Sequence, residues 1–323
     1  MTLKRLFSCL LILVLMLAPA VGCQAPEIDA LELVPQQANL IANIQVSKIL
    51  NDQDLRNAYN NAKKKAGQPQ TVEEVEEVVK EIGIDPRNIS EAVVFADVTT
   101  TDMGGYLGII IEGSFNEKQL IDNIEEKTGE KLTTSDYKGY KLYIDEEDPG
   151  EQRELGITFL SNKMLLLGTT KAVKDAIDVS KGDRQQVGAT ILETYNRLDD
   201  ALIKVAIELP QEARKTWTEE QLPSEFPISL ESFADIDTVG FALNKKADII
   251  TIQINPHFLS TDSAQDARDT LSGAISLFKG MLQDPEIKEL LGKIEVTTTD
   301  SWVIIAFEIT LSEIESLTET FQP

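Results

Sequence analysis

Thiols and imidazoles are nearly missing from this sequence. It has two cysteines, Cys9 and Cys23, and one histidine, His257, in 323 residues. The common zinc sites draw three or four ligands from Cys, His and carboxylates, and a histidine base needs a nucleophile placed beside it. Neither chemistry is served by this set. Positive charge is scarce too, with 30 Lys and Arg against 54 Asp and Glu. Nucleic-acid binding requires a basic footprint, so that class is excluded, and an anionic lipid surface repels a body of this charge. No P-loop, G-x-G-x-x-G or G-x-S-x-G motif occurs, so no nucleotide cofactor is implied.

What is present begins at the N-terminus. Lys4 and Arg5 precede an apolar run, Leu6 to Leu17, broken only by Ser8 and Cys9. Ala18-Pro19-Ala20-Val21-Gly22-Cys23 closes it. This is the layout of a secretory signal peptide. The run is shorter than the roughly 20 apolar residues of a spanning helix and ends at Pro19, against an uncleaved anchor. Cleavage after Ala20 would fit the small-x-small rule and give a soluble exported protein. The favoured reading is a bacterial lipobox, with residues 1–22 removed and Cys23 acylated. The motif more often has Leu where this chain has Ala20. Two or more acyl chains of the palmitate type give stable anchoring where one does not.

Removal of the leader takes both cysteines out of the folded body, Cys9 with the peptide and Cys23 to the lipid. It also takes two of the 30 basic residues, leaving 28 against 54 acidic ones, a net −26. The remaining 301 residues (323 less 22) are enough for two domains, and 42% apolar content excludes general disorder.

Residues 23–37 read as a tether, with Pro26 and Pro35. Asn39–Val46 alternates like a strand and leads into a helix over roughly 48–66. Thr71 and Glu74 make a capping box ahead of Val72, Val75, Val78, Val79 and Ile82. Strands are expected at Ala92–Val98 and Tyr106–Glu112, then a helix opened by Ser114 and Glu117 and stopped by Gly129. Further strands follow at Gly139–Ile144, Leu155–Leu160 and Lys163–Leu167, and a helix capped by Thr169 or Thr170. The second half reads as strands at Leu202–Leu209, Thr238–Leu243 and Ile249–Asn255. A helix over 262–282, a hairpin of Ile294–Thr298 and Trp302–Ile309, and a helix capped by Thr310 and Glu313 complete it. The short joining turns dictate antiparallel neighbours. Val93-Val94-Phe95-Ala96 and Val239-Gly240-Phe241-Ala242 each open a similar series. The expected fold is α+β: two related lobes, 38–185 and 190–320, of mostly antiparallel sheet with helices packed on one face.

The leader, together with LVPQQANLIANIQVSKIL, YKGYKLYIDE and LLLGTTKAVKDAIDVSKG, resembles a family of exported bacterial lipoproteins known only as a domain of unknown function. The resemblance spans most of the chain after the leader. Its motifs are packing and turn patterns, and it implies no catalytic residue.

Four local patterns invite chemistry. Ser135-Asp136-Tyr137-Lys138 and Ser276-Leu277-Phe278-Lys279 fit S-x-x-K, with Ser114-Phe115-Asn116 as S-x-N and Lys127-Thr128-Gly129 as K-T-G. Their order is wrong for penicillin-recognising enzymes. Asp145, Glu147 and Gly150 start like an EF-hand loop, but Pro149 and Gly156 stand where ligands belong, leaving Asp145, Glu147 and Asp148 as candidates for loose cation binding only. His257, after Pro256, reads as a partly exposed loop residue at a strand end. Trp302 alternates with Ile304 and reads as core, and Trp217 as packing.

The sequence therefore predicts an exported protein held to the membrane by lipid on Cys23. It is expected to be a non-enzymatic binding or interaction module with an envelope protein as partner. The alternative is a carrier or sensor of an apolar ligand held between sheet and helices. A hydrolase using paired carboxylates is a third reading, with no spacing to select a pair.

Overall fold

Runs of β-branched and aliphatic residues bounded by turn residues become the strands of a computed structural model, which describes residues 29–65, 71–99, 105–145, 154–211, 214 and 233–320. Twelve strands and nine α-helices lie among these described residues, in a mixed α+β arrangement whose paired strands are antiparallel. The chain divides into two compact units, Met1–Val187 and Gly188–Pro323. Among the described residues, no helix is long and apolar enough to cross a membrane.

The first unit contains β1 (Leu40–Ile44), β2 (Glu91–Ala96), β3 (Leu107–Glu112), β4 (Thr133–Tyr137), β5 (Tyr140–Asp145), β6 (Leu155–Ser161) and β7 (Met164–Thr169), in the order β1-β2-β3-β7-β6-β5-β4. Its inner strands are buried on both faces, as near-continuous apolar runs such as Ala92-Val93-Val94-Phe95-Ala96 require. At the edge, β4 is Thr-Thr-Ser-Asp-Tyr, exposed along most of its length. It has no apolar pattern, so the sequence places no strand there.

Five helices accompany these strands. The expected helix over 48–66 is two, α1 (Val46–Leu50) and α2 (Gln53–Lys65), parted at Asn51-Asp52. The Asp52 carboxylate caps the second by accepting from the amides of Asp54 and Leu55. Helix α3 (Val72–Glu81) carries the Thr71–Glu74 capping box in both directions. Helix α4 (Glu117–Thr128) starts later than expected. Asn116, not Ser114, is its N-cap, accepting from the Gln119 amide at 3.1 Å. Gly129, at φ 76°, ends it in the left-handed region. Thr169 caps α5 (Thr170–Ser180).

The second unit opens with a helix that the sequence does not announce, α6 (Ala189–Asn196), and then holds β8 (Ile203–Glu208), β9 (Ile236–Lys246), β10 (Ile249–Phe258), α7 (Thr261–Met281), α8 (Pro285–Gly292), β11 (Glu295–Thr299), β12 (Trp302–Thr310) and α9 (Leu311–Thr320). Its strand order is β8-β9-β10-β12-β11. Ser260 caps α7 through the Ser263 amide, and Thr310 with Glu313 forms the expected capping box of α9. Helices on one face were expected, but α6 and α7 meet opposite faces of β9. Thr194 and Leu198, in and just after α6, lie against Gly240. Ala264 and Ala267 of α7 join Ile236, Phe258 and Val303, with Val239 packed against them. Gly240 makes the α6 seat possible, because a methyl group there would lie 3.0 Å from Leu198 Cδ2.

Candidate functional site

The β9 strand of the second unit is buried on the wrong side for its composition. Thr238, Gly240 and Ala242 are buried, whereas Val239, Phe241 and Leu243 are only half-buried. Register extends the contrast to three neighbours. Ile207, Val205 and Ile203 of β8 pair with Val239, Phe241 and Leu243. Ile254 and Ile252 of β10 pair with Phe241 and Leu243 on the other side, and with Ile305 and Phe307 of β12 beyond. Side chains alternate across a strand, so these ten large apolar residues share one face, and all ten are partly open.

Full burial of a side chain of this size contributes about 1.5–3 kcal/mol. None of the ten is fully exposed, and Val239 and Ile305 pack against the Ala264–Ala267 cluster, so the face forgoes only part of that on each strand. Scattered exposed apolar residues are ordinary, but a contiguous apolar patch marks a place where something binds. At about 3.3 Å per residue and about 4.8 Å between strands, the patch measures roughly 13 Å by 14 Å.

Helix α7 forms the other wall. Ala264 and Ala267 are buried and Leu271 packs on the same cluster. Past that point Ala274, Ile275, Phe278 and Leu282 continue the stripe at helical spacing but are only half-buried, and Met281 is 66% exposed. Leu259, just before the helix, is 62% exposed. Arg268 stands on the flank of this stripe, one turn after Ala264 and one turn before Leu271. Its Nη2 pairs with Asp269, its chain neighbour, at 3.1 Å, while its buried Nε has no hydrogen-bond partner among the described residues. A buried donor in that state carries a desolvation cost.

The opposite face is mixed. Thr194 Oγ1 donates to Thr238 Oγ1 at 2.7 Å, and Asn255 Nδ2 to the Arg197 carbonyl at 3.4 Å. A shallow groove of about 480 Å³ at its far end is lined by Ile249, Thr251, Lys293, Glu295 and Glu308 among others. Lys293 pairs there with Glu313. Hydrogen bonds from Lys293, then from the Thr310 amide and hydroxyl, push the Glu313 carboxyl down to about 2.

His257 is a correction to the sequence reading. It is the last residue but one of β10, at the strand end and partly exposed as expected but in the strand rather than a loop, with Nδ1 2.6 Å from Asp237 Oδ1. Its ring sits 4.5 Å from that of Trp302, and the Arg197 guanidinium covers the same indole at 4.7 Å. Side chains of two strands, β9 and β12, thus hold the imidazole, an arrangement that no local pattern in the sequence encodes. Trp302 is buried, as its alternation with Ile304 suggests.

The other marked residues stay apart. Asp145 ends β5, opposite Leu155. Glu147, Asp148, Trp217 and the acylation candidate Cys23 lie outside the described residues. Among the described residues, no three His, Cys, Asp or Glu converge as metal ligands. Ser276 is in the middle of α7, its hydroxyl donating to the Ser272 carbonyl, and Thr128-Gly129 ends α4 rather than lying on a strand.

No protein-family model matches the chain, and no curated protein matches it. Crystal forms I, IV and III of TP0453 are similar to it at 9%, 10% and 8% identity, each with a TM-score of 0.47. The three alignments cover 92%, 90% and 91% of this chain and 99%, 97% and 99% of theirs.

Proposed function

We propose that this protein is an exported, lipid-anchored binding module of the cell envelope, held to the outer side of the membrane through Cys23 and working without catalysis. The anchor rests on the leader, with its Lys4-Arg5 start, its Leu6–Leu17 run and the small residues before Cys23. The lipid holds an acidic body near a surface that repels it.

The observation that carries the binding role is the half-buried apolar face of the second unit. It favours the carrier reading over a protein-only partner, because Leu271 of α7 packs on the same cluster as Val239 and Ile305 of this face, and the apolar stripe of α7 continues past it. Ligand sites are concave and mostly apolar, with a few placed polar groups. Arg268 supplies one such group.

The body is read as two lobes related by duplication. In each unit three consecutive strands are followed by helix and then by a hairpin whose last strand pairs with the third: β7 with β3, and β12 with β10. A Thr-capped helix follows both, α5 and α9. The β4–β5 hairpin is the first lobe's addition.

The anchor is tested by growing cells with labelled fatty acid and comparing the native chain with Cys23→Ser. The native chain is expected in the membrane fraction with acyl label, and the variant unlabelled and released. Membrane retention of an unlabelled variant would overturn the anchor.

A further inference from the structure

We propose that the second unit binds a long-chain carboxylate, with the acyl chain on the half-buried face and the acid group at Arg268. This deepens the carrier reading and rests on it. The face offers Phe241, Leu243, Ile252 and Phe307 as an uncharged floor, and α7 offers Leu271, packed on the same core as Val239 and Ile305, with Ile275 one turn further along the helix. Apolar walls without polar groups match an acyl chain, whose burial is worth about 0.8 kcal/mol per methylene. A floor of roughly 13 Å along the strands suits about ten to twelve carbons.

The head group is chosen by Arg268. Among the described residues its ion-pair partner is the adjacent Asp269, which is itself well exposed. The guanidinium is always charged and presents donors in a rigid fork that fits a carboxylate two-handedly. An unpartnered, buried Nε beside an apolar stripe is a donor in want of an acceptor. A carboxylate at the end of an acyl chain supplies the acceptor and the apolar surface in one molecule. The chain's net charge of −24 opposes anions at long range, so the acid is recognised by contact at Arg268 rather than drawn in by the field.

Titration calorimetry on the full chain carrying Cys23→Ser, which bears no lipid of its own, tests this with dodecanoate and dodecanol. Dodecanoate is expected to bind near one to one and dodecanol about tenfold or more weakly, with Arg268→Gln losing the same factor for dodecanoate alone. Arg268 is 34% exposed in its side chain, so the variant should fold, and its thermal midpoint checks that. Equal affinity for the two ligands with an indifferent Arg268→Gln would overturn the carboxylate assignment and leave the carrier reading standing. Binding of neither ligand would overturn both.

Discussion

The ring of Phe95 lies on the α-carbon of Gly108. The two residues are register partners across β2 and β3, and a methyl group at Gly108 would sit 2.1 Å from Phe95 Cζ. Phe95 is fully buried and meets Tyr106 edge-on at 6.2 Å. The glycine therefore provides the volume that the ring fills, and the first unit's core is fitted around it.

Gly108→Ala should cost about 1–3 kcal/mol, the usual range for overpacking a fitted core. Adding Phe95→Leu should return part of the loss, because the two side chains compete for one space. Urea unfolding of the single and double variants measures this. A Gly108→Ala chain as stable as the native one would show that the ring is not confined.

A second buried arrangement is ionic. Arg56 pairs with Glu73 at 2.5 Å and with Glu76 at 2.6 Å, and Glu76 is only 5% exposed. Burial would lower the Arg56 pKa, but its bonds to the two carboxylates outweigh that and raise it. Arg56→Met leaves Glu76, among the described residues, with Lys80 and Arg87 at 3.6 and 3.3 Å. The expected loss is about 3–5 kcal/mol. Replacing Glu76 by Gln as well should recover much of it. Chemical denaturation of the two variants decides, and equal losses in both would contradict the account.

Glu91 gives a pH dependence of known sign. Burial raises its pKa, opposed by hydrogen bonds from Asn43 and Gln45 and assisted by Asp29. A folded-state pKa above the unfolded one means a contribution present below the unfolded pKa and lost as pH rises through the folded value. Glu91→Gln keeps an acceptor for Asn43 and Gln45 but carries no charge. It should be more stable than the native chain at pH 8, with the advantage shrinking toward pH 4. Thermal unfolding across that range checks it, and an advantage that grows on acidification would refute the sign.

Local signals in the sequence transferred well where the physics is local. Thr71 with Glu74 and Thr310 with Glu313 are reciprocal capping pairs, and each sits at its helix start in the structure. The alternation of Trp302 with Ile304 placed the indole inside. Elements without an apolar period went unread. The β4 strand is polar throughout, and its pairing with β5 comes from the tight turn at Lys138-Gly139. The Ser114 error has a similar origin, since Ser-x-x-Glu and Asn-x-x-Gln compete within three residues and only backbone geometry selects one.

The candidate site was legible by half. Alternation in Val239-Gly240-Phe241-Ala242-Leu243 reveals that β9 has a large apolar face and a small one. Which face is covered depends on α6, whose seat on Gly240 no periodicity announces. Arg268 looks like any solvated helix charge until its Nε is found buried without a partner. His257 likewise depends on Asp237, Trp302 and Arg197, brought together only by strand register and the turn after α6.

If the folded second unit presents an accessible apolar face, a neutral, polarity-sensitive dye such as Nile red should find it. Titrated into the full chain with Cys23→Ser at neutral pH, the dye should bind saturably near one per chain with a blue-shifted emission. Ile252→Glu, on the half-buried face, should weaken that binding about tenfold or more, while Thr297→Glu, on an exposed edge position of β11, should leave it unchanged. Absence of saturable binding, or equal binding by both variants, would contradict the claim.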